Sequence, residues 1–278
     1  MYRRNFLQGM GASAVGSLAL LQWVEEKSAQ AATEEIVLQG SDLTEWEVAL
    51  GDGLYCAAGQ APVSTDDIGV AHFGDYSQLS ANRWQRGIMA HNITYMRQIN
   101  PAALNFVHHC ELEFRLPFVP TTSGGELNAQ TVELSFFIWD GAGSQIDYGL
   151  ALQWILNPWM SSFGDLRAWM PPGTNTAEGG WQSVGTLPVD TAWHRVQMVF
   201  DYQTQMTAVT IDGNHFLSTF SGTAKPATWG TETAARFSAE IISIYPGENA
   251  SAPKHVAEVR NWRWQWLPAT NQCMEGNS

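Results

Sequence analysis

The chain has 278 residues, of which 45% are hydrophobic and 15% charged, and its formal net charge is −13. This length suits one large all-β domain. The acidic balance argues against nucleic acid and against anionic membrane surfaces as partners, because both require basic patches. It also argues against a polyanionic substrate, unless a local basic strip overrides the global field.

The N-terminal residues have the pattern of an export signal. Residues 3–7 (RRNFL) resemble a twin-arginine (Tat) signal, and residues 29–31 (AQA) supply a small-x-small cleavage site. The intervening run, residues 9–24, is too short and too mildly hydrophobic to hold a membrane. We therefore predict a signal peptide over residues 1–31, the Tat translocase as a partner during export, and a periplasmic or extracellular protein without stable membrane insertion. The alternative is an uncleaved N-terminal anchor.

Three cysteines remain after such cleavage: Cys56, Cys110 and Cys273. An odd count leaves at least one thiol without an intramolecular partner. An oxidising compartment would permit one disulfide in any of three pairings. Cys56 and Cys110 both lie in the N-terminal part of the domain, which favours that pair. No cysteine or histidine spacing indicates zinc.

Alternating hydrophobic and polar residues predict a succession of short β-strands separated by turns rich in Gly, Pro and Asp. Residues 66–76 are predicted to be irregular, and residues 81–90 are a candidate helical turn, against which Gly87 argues. The predicted strands cover residues 35–38, 91–97, 109–114, 131–139, 148–156, 165–170, 181–187, 193–201, 206–211, 216–220, 236–245 and 255–266.

The most informative stretch is residues 193–213, WHRVQMVFDYQTQMTAVTIDG. Val196, Met198 and Phe200 alternate with polar residues, a four-residue polar turn follows, and a return strand ends at Asp212-Gly213. A strand opened by Trp-His and a return strand ended by Ile-Asp-Gly resemble the concanavalin A-like (laminin-G-like) jelly-roll superfamily.

That resemblance implies an all-β fold, a two-sheet antiparallel jelly-roll sandwich over residues 32–267, followed by a C-terminal tail at 268–278. The superfamily contains lectins, glycan-binding modules, hydrolases, lyases and adhesion domains, so the fold alone does not define the activity. The resemblance favours non-covalent recognition of a polysaccharide or other glycan. The alternatives are a glycoside hydrolase or polysaccharide lyase, and a structural or adhesion domain without a ligand.

A hydrolase on this fold would need two carboxylates on one sheet face. Glu111 and Glu113 share one face of a predicted strand, and Glu133 on the next strand could approach them. The laminarinase-type Glu-x-Asp-x-x-Glu run is absent. The competing interpretation is a solvated strand face with Arg115 as partner.

The resemblance also brings lyase chemistry, in which a Tyr/His pair acts with Arg and Gln on a uronate. Tyr148, Gln153, His194 and Arg260 are residues of the right types, but they fall in no recognisable motif. His194 shares the parity of Val196, which favours a hydrogen-bonded structural histidine.

The last strand offers a candidate sugar-binding platform. Glu258, Arg260, Trp262 and Trp264 share one parity, so flat aromatic faces would stand beside hydrogen-bonding groups. Trp139 and Trp169 could supplement this platform from neighbouring strands. The alternative places the tryptophans in the core between the sheets.

A calcium ion at a loop rim would need several converging oxygen ligands. Four aspartates near predicted turns are candidates: Asp140, Asp147, Asp165 and Asp201. No organic cofactor is predicted, and Ca²⁺ remains an unassigned option.

Overall fold

The computed structural model describes residues 36–50, 65–81, 89–99, 102–122, 127–128, 131–139, 147–158, 160–170, 180–201, 206–219, 234–244 and 254–268. These residues form two β-sheets and two single-turn 3₁₀ helices, Thr65–Asp67 and Ala103–Asn105. In this described part, no helix is long and apolar enough to cross a membrane. The predicted signal peptide, the C-terminal tail beyond residue 268, Cys56 and Cys273 lie outside it.

The first sheet has nine strands. They are β1 (Ile36–Gly40), β3 (Ile68–Phe73), β4 (Tyr76–Ala81), β6 (Phe106–Arg115), β7 (Leu127–Asn128), β12 (His194–Asp201), β13 (Met206–Ile211), β14 (Asn214–Thr219) and β16 (Lys254–Pro268).

These strands run in the order β14-β13-β12-β6-β16-β4-β3. The first half of β16 pairs with β4 and its second half pairs with β1, so β1 and β4 lie end to end along one strand. The two-residue β7 pairs with β16 in parallel, whereas the other pairings are antiparallel.

The second sheet has seven strands in the order β11-β10-β9-β8-β15-β5-β2, and all its pairings are antiparallel. They are β2 (Glu47–Leu50), β5 (Met89–Ile99), β8 (Thr131–Trp139), β9 (Asp147–Ile155), β10 (Asp165–Met170), β11 (Gly180–Thr186) and β15 (Ala234–Ile244).

The core lies between the two sheets. Trp264 of the nine-stranded sheet meets Phe237 of the seven-stranded sheet with ring centroids 6.3 Å apart, and Phe114 meets Trp154 at 5.7 Å. Trp46 closes one side of this core, 5.4 Å from both Phe237 and Trp262. Burying these large aromatic surfaces provides the main driving force for packing sheet on sheet. The two-sheet antiparallel sandwich predicted from the sequence is confirmed.

The hairpins of the 193–213 stretch are also confirmed. Asp212 and Gly213 both adopt positive φ angles, 49° and 79°, in the turn between β13 and β14, as an Asp-Gly hairpin turn requires. Asp212 also joins the two ends of the motif. Its carboxylate accepts hydrogen bonds from the Arg195 backbone N–H at 2.9 Å and from His194 Nδ1 at 2.7 Å.

The irregular segment predicted at residues 66–76 is wrong, because β3 and β4 form a hairpin there. β3 is the edge strand, and all of its residues are at least partly exposed. Gly69 faces Ser80, whose Oγ lies only 2.5 Å from where a glycine Cβ would be. An exposed edge strand buries too little surface to enforce a hydrophobic alternation, so the sequence pattern could not reveal it.

Cys110 is a free thiol buried in the core, whereas Cys56, its favoured partner, lies outside the described residues. Burial raises the pKa of the Cys110 thiol well above its usual value, which makes it an inert structural cysteine.

Candidate functional site

Each sheet has an inner face on the core and an outer face that turns away from it. On the outer face of the nine-stranded sheet, Glu111 and Glu113 stand side by side on β6, as their spacing predicted. Glu111 binds Arg195 through an ion pair of 2.6 Å and accepts a hydrogen bond from Gln197 at 2.9 Å. The Glu111 carboxylate is thus held by two side chains of the neighbouring strand β12.

Glu113 lies 2.7 Å from Arg260 and accepts a hydrogen bond from the Asn261 amide at 3.0 Å. Partial burial acts to raise the pKa of Glu113, but the hydrogen bonds from Asn261 and Arg260 and nearby positive charge hold it below its usual value. A glycosidase acid must instead stay protonated near neutral pH. Glu113 is therefore unsuited to that role.

Glu133 belongs to β8 in the seven-stranded sheet and does not approach Glu111 or Glu113. The predicted hydrolase site built from these three residues is therefore wrong. The competing prediction was a strand face on which the carboxylates pair with Arg115. The carboxylates are indeed paired, but with other residues. Arg115 pairs with Glu258 at 2.7 Å rather than with either β6 carboxylate.

The predicted aromatic platform on β16 is also wrong. A register shift between Arg260 and Arg263 inserts a β-bulge, with Asn261 at a positive φ of 51°. A bulge reverses the inward and outward alternation of the strand. Glu258 and Arg260 therefore lie on the outer face, whereas Trp262 and Trp264 are 7% and 0% exposed and belong to the core.

Glu258 is itself 3% exposed, and it accepts hydrogen bonds from Arg115 and Gln78. Arg260 lies with its guanidinium carbon 4.2 Å from the centre of the Trp193 ring, and the guanidinium carbon of Arg115 lies 4.5 Å from it. These two arginines thus bind an aromatic ring as well as their carboxylates, so the outer face here is a self-paired network.

The outer face of the seven-stranded sheet holds a different set of polar residues. Ala235, Phe237 and Ala239 of β15 belong to the core, so the alternate residues Ser238 and Glu240 point outward. By the same alternation, Leu152 and Trp154 place Gln153 of β9 on the outer face.

Strand register brings these residues into one row. Arg167 of β10 is paired with Gln153, Gln153 with the backbone position of Glu133, and that position with Glu240. Directly opposed residues of antiparallel strands lie about 4.5–5.5 Å apart at Cα. We call Arg167, Gln153, Glu133 and Glu240 the polar row; the structure describes three of its side chains, and Glu133 is placed by its backbone alone.

Burial distinguishes this row from the other outer face. Glu240 is 4% and Gln153 is 7% exposed although neither faces the core, and Arg167 is half-buried with an Asp165 oxygen 3.9 Å from its guanidinium. Burying polar groups is costly unless their hydrogen bonds are made. The polar row is therefore a set of donors and acceptors held in a partly dry environment on the outer side of the sheet.

Aromatic positions border the row. Trp169 of β10 is paired in register with Trp181 of β11, which is half-buried, and Trp139 of β8 is paired with Asp147 and Ala234. The predicted ligand-binding role of Trp139 and Trp169 stays a prediction, since the structure describes only their backbone positions.

Sequence reasoning singled out Gln153 but not Glu240 or Arg167, and it missed the row as a unit. Alternation in 236–245 could show that Glu240 leaves the core face. The pairing of β8 with β15, about 100 residues later in the chain, cannot be found from local pattern.

His194 behaves as the structural histidine expected from its parity. It is buried, its Nδ1 lies 2.7 Å from Asp212 and its Nε2 lies 3.3 Å from Asp190. It lies on the inner face, 5.3 Å from Trp154 by ring centroids. It therefore cannot act together with Gln153, which lies on the opposite side of the seven-stranded sheet.

The calcium candidates do not converge in the described ranges. Asp165 is in the seven-stranded sheet and Asp201 in the nine-stranded sheet, while Asp140 lies outside the described residues. Among the residues described, no group of three or more His, Cys, Asp or Glu side chains could hold a metal ion. A calcium site stays a prediction.

The fold and its two polar outer faces define a two-sheet antiparallel β-sandwich with little helix. No protein-family model matches the chain, and no curated protein matches it. Among solved structures it is similar to basic winged bean lectin with Tn-antigen, at 10% identity over 85% of this chain and 100% of that one, with a TM-score of 0.47.

It is also similar to a sialidase, at 11% identity over 76% of this chain with a TM-score of 0.42, although the match spans only 16% of the sialidase chain. A third similar structure is alginate lyase AlyC3 in complex with dimannuronate, at 9% identity over 82% of this chain and 91% of that one, with a TM-score of 0.42. Similarities this weak carry no argument about ligand or activity, which must come from the residues themselves.

Proposed function

We propose that this protein is exported and binds a glycan non-covalently through the outer face of the seven-stranded sheet. The observation that carries the proposal is the polar row. Arg167, Gln153 and Glu240 lie in one register row, with the backbone position of Glu133 between the last two, on a face that does not contact the core, and two of them are almost fully buried.

The chemistry of this row suits hydroxyl-rich ligands. A guanidinium presents a fixed fork of donors, an amide both donates and accepts, and a carboxylate accepts through two oxygens. Adjacent sugar hydroxyls match such pairs, and the half-buried Trp181, which is paired in register with Trp169, brings an aromatic ring beside the row for the apolar face of a pyranose. Sheet strands hold these groups more rigidly than loops would.

Export is proposed from the N-terminal residues. Arg3 and Arg4, followed by Phe6 and Leu7, support recognition by the twin-arginine translocase and a location in the periplasm or outside the cell. Such a location would expose the protein to environmental or envelope polysaccharides.

Glycan cleavage at the same face is the second candidate. Glu133 and Glu240 are directly opposed across β8 and β15, so two carboxyl-bearing positions lie about 4.5–5.5 Å apart at Cα. Glycoside hydrolysis needs two carboxyl-bearing positions on one face, which this register supplies. Arg167 in the same row could neutralise the carboxylate of a uronate, and Gln153 could hydrogen-bond to it, as lyase chemistry requires.

The test is retention of the full-length protein on a broad panel of immobilised polysaccharides, with calcium and with chelator, while released oligosaccharides are scored in the same wells. Retention that is lost in Arg167→Ala and Gln153→Ala, but kept in Gln197→Ala on the opposite sheet, is the expected result. Circular dichroism of each variant separates loss of binding from loss of fold.

If the unmodified protein releases oligosaccharides and Glu240→Gln does not, the proposed function changes from binding to catalysis. Neither retention nor release on any polysaccharide would overturn the proposal in favour of a structural or adhesion domain. Loss of retention in the presence of chelator would indicate that calcium takes part in binding.

A further inference from the structure

One edge of the nine-stranded sheet lacks the usual protection against pairing with another strand. β3 (Ile68–Phe73) ends this sheet, and among the described strands it pairs only with β4. An edge strand presents backbone N–H and C=O groups to its surroundings, and proteins normally protect it with lysine, proline, a β-bulge or a short length. β3 has six residues in continuous register with β4, and it contains no lysine and no proline.

The two edge strands of the seven-stranded sheet differ from β3. The pairing of β11 with β10 contains a register shift, and β2 has only four residues and begins with Glu47. Irregularity, shortness and charge all oppose pairing with a further strand. β3 is therefore the more open template for such pairing.

The hairpin turn determines which backbone groups of β3 face the open edge. Phe73 and Tyr76 close a two-residue turn between β3 and β4. The closing residues of such a turn are hydrogen-bonded to each other. Because bonded and non-bonded pairs alternate along an antiparallel ladder, the N–H and C=O groups of Ile68, Val70 and His72 point away from β4. These groups are available to an added strand.

The side chains of β3 leave space for a neighbouring strand. Ala71 is paired with Gln78, which donates a hydrogen bond to the outward Glu258. The outer face of β3 therefore carries Gly69, Ala71 and Phe73. The first two are small, and the Phe73 side chain is 48% exposed. A partner strand could thus lay long side chains over two small residues and against one exposed aromatic ring.

The chain around β3 is acidic. Residues 28–82 contain nine Asp and Glu residues and no Lys or Arg. Asp66 lies exposed directly before β3, and the side chain of Asp75, in the turn after it, is 78% exposed. The cation that approaches Asp75, at 3.4 Å, is Arg260, which already binds Glu113 at 2.7 Å. Both ends of β3 are therefore flanked by exposed negative charge.

The edge strand β2 of the other sheet adds to this charge. It contacts the 3₁₀ helix Thr65–Asp67 that leads into β3, so both edges lie on the same side of the sandwich. Glu45 and Glu47, just before β2 and at its start, are exposed. By contrast, Asp212 beside the opposite edge strand β14 is bound to the buried His194. The β3 side should therefore attract cationic partners.

We propose that β3 binds an extended, basic segment of another polypeptide, which adds to the nine-stranded sheet as a further strand. Backbone hydrogen bonds to Ile68, Val70 and His72 provide affinity, and Lys or Arg side chains facing the acidic flanks provide selectivity. A second copy of this chain is a poor occupant, because each copy carries a net charge of −13 and like-charged flanks would meet. This inference goes beyond the proposed function and does not depend on it, since the polar row lies on the other sheet.

The experiment adds peptides of about eight residues, long enough to cover one strand, to the full-length protein. The first peptide alternates Lys with Val, and the second alternates Glu with Val. The third alternates Lys with Pro, which keeps the charge but cannot pair regularly as a strand. We expect only the Lys–Val peptide to bind in calorimetric titration, with a dissociation constant in the micromolar range that rises with added salt. Failure of this peptide to bind would overturn the proposal.

Hydrogen exchange followed by NMR distinguishes strand pairing from charge attraction alone. The amides of Ile68, Val70 and His72 should exchange rapidly in the free protein and slow by about tenfold or more with the Lys–Val peptide bound, while those of β14 stay unchanged. Binding without this protection would overturn the proposal in favour of an acidic surface. Slow exchange of the three amides in the free protein would also overturn it, because another part of the chain would then cover the edge.

Substitutions on β3 provide the second test. His72→Pro removes one donor at an exposed position, and an edge strand tolerates proline where the N–H faces solvent. This variant should lose binding of the Lys–Val peptide, whereas the matched His72→Ala should bind within about twofold of the unmodified protein. Equal binding by the two variants would overturn β3 as the site. Circular dichroism checks that both are folded.

A charge substitution tests the same site if His72→Pro does not fold. Asp66→Asn should weaken binding by about threefold, whereas Asp190→Asn, the same change at an exposed acid near β12, should leave it unchanged. Equal effects of the two would overturn the acidic flank as the source of selectivity. Dimerisation in sedimentation that His72→Pro abolishes would replace the basic partner with a second copy. Peptide binding together with failure of polysaccharide retention would support β3 and overturn the proposed function alone.

Discussion

The two outer faces accommodate polar side chains in opposite ways. On the nine-stranded sheet, carboxylates and guanidinium groups pair with one another at 2.6–2.7 Å, and most remain partly open to water. On the seven-stranded sheet, Gln153, Ser238 and Glu240 are buried away from the core. The difference teaches that polar side chains on the outer face of a sheet can stay near solvent in ion pairs, or can be buried among other groups of the protein.

The largest expected effect is a pH dependence of stability that comes from the core between the two faces. It must be known before the stabilities of variants on the two faces are compared. Burial lowers the pKa of both His108 and His255 to about 4, because the charged imidazolium would lose its hydration. The native state therefore favours neutral imidazole. This stabilising contribution is complete above the unfolded pKa of 6.5 and is lost as the pH falls from 6.5 through about 4.

Each shift corresponds to about 3 kcal/mol of unfolding free energy across that range. Urea unfolding followed by tryptophan fluorescence at successive pH values measures it. His255→Leu should make the pH dependence shallower, while His215→Asn, at an exposed histidine of β14, should not change it. An unchanged slope in His255→Leu would mean that this histidine is not the titrating group.

Within the nine-stranded face, burial should decide which ion pair matters. Glu258 is 4% exposed at its side chain and binds Arg115, whereas Arg195 is 57% exposed where it binds Glu111. Glu258→Ala leaves Arg115 without its carboxylate and should lower the unfolding free energy by about 3 kcal/mol. Arg195→Ala should lower it by less than about 1 kcal/mol.

The same chemical denaturation, repeated at high salt, sharpens this contrast. Added salt should reduce the small contribution of Arg195 further and affect that of Glu258 little, since buried pairs are poorly screened. Equal costs for the two substitutions would show that the Arg115–Glu258 pair is not protected from solvent.

Across the two faces, equivalent truncations should differ. Glu240→Ala removes a carboxylate that is 4% exposed, leaves its buried neighbours with fewer partners and should cost about 2 kcal/mol. Glu111→Ala, on the more open face, should cost about 1 kcal/mol or less. Thermal unfolding of the two variants side by side measures the difference, and a larger cost for Glu111→Ala would reverse the comparison.

Glycan binding should also distinguish the two outer faces. A ligand bound by the native state alone raises its stability. A glycan held by the polar row should therefore raise the Tm of the unmodified protein more than it raises the Tm of Glu240→Ala. Calorimetry with and without the retained polysaccharide provides this measurement. Identical increases in Tm for both proteins would place the glycan elsewhere.

Local pattern determined much of this protein. Period-2 alternation located β6, β8, β12 and β13, and Asp212-Gly213 marked a hairpin turn, because strand pleat and turn geometry depend on neighbouring residues. The expectation that His194 is structural followed from the same parity argument and is confirmed by its burial.

Tertiary structure alone decided the rest. The bulge at Asn261 reversed the parity of β16 and moved Trp262 and Trp264 into the core, and nothing in the alternating sequence signals where that reversal occurs. Whether Glu133 joins Glu111 or Glu240 depends on which distant strands pair. Such pairings are selected by the packing of the whole sandwich, so the faces that could bind a ligand appear only when both sheets are assembled.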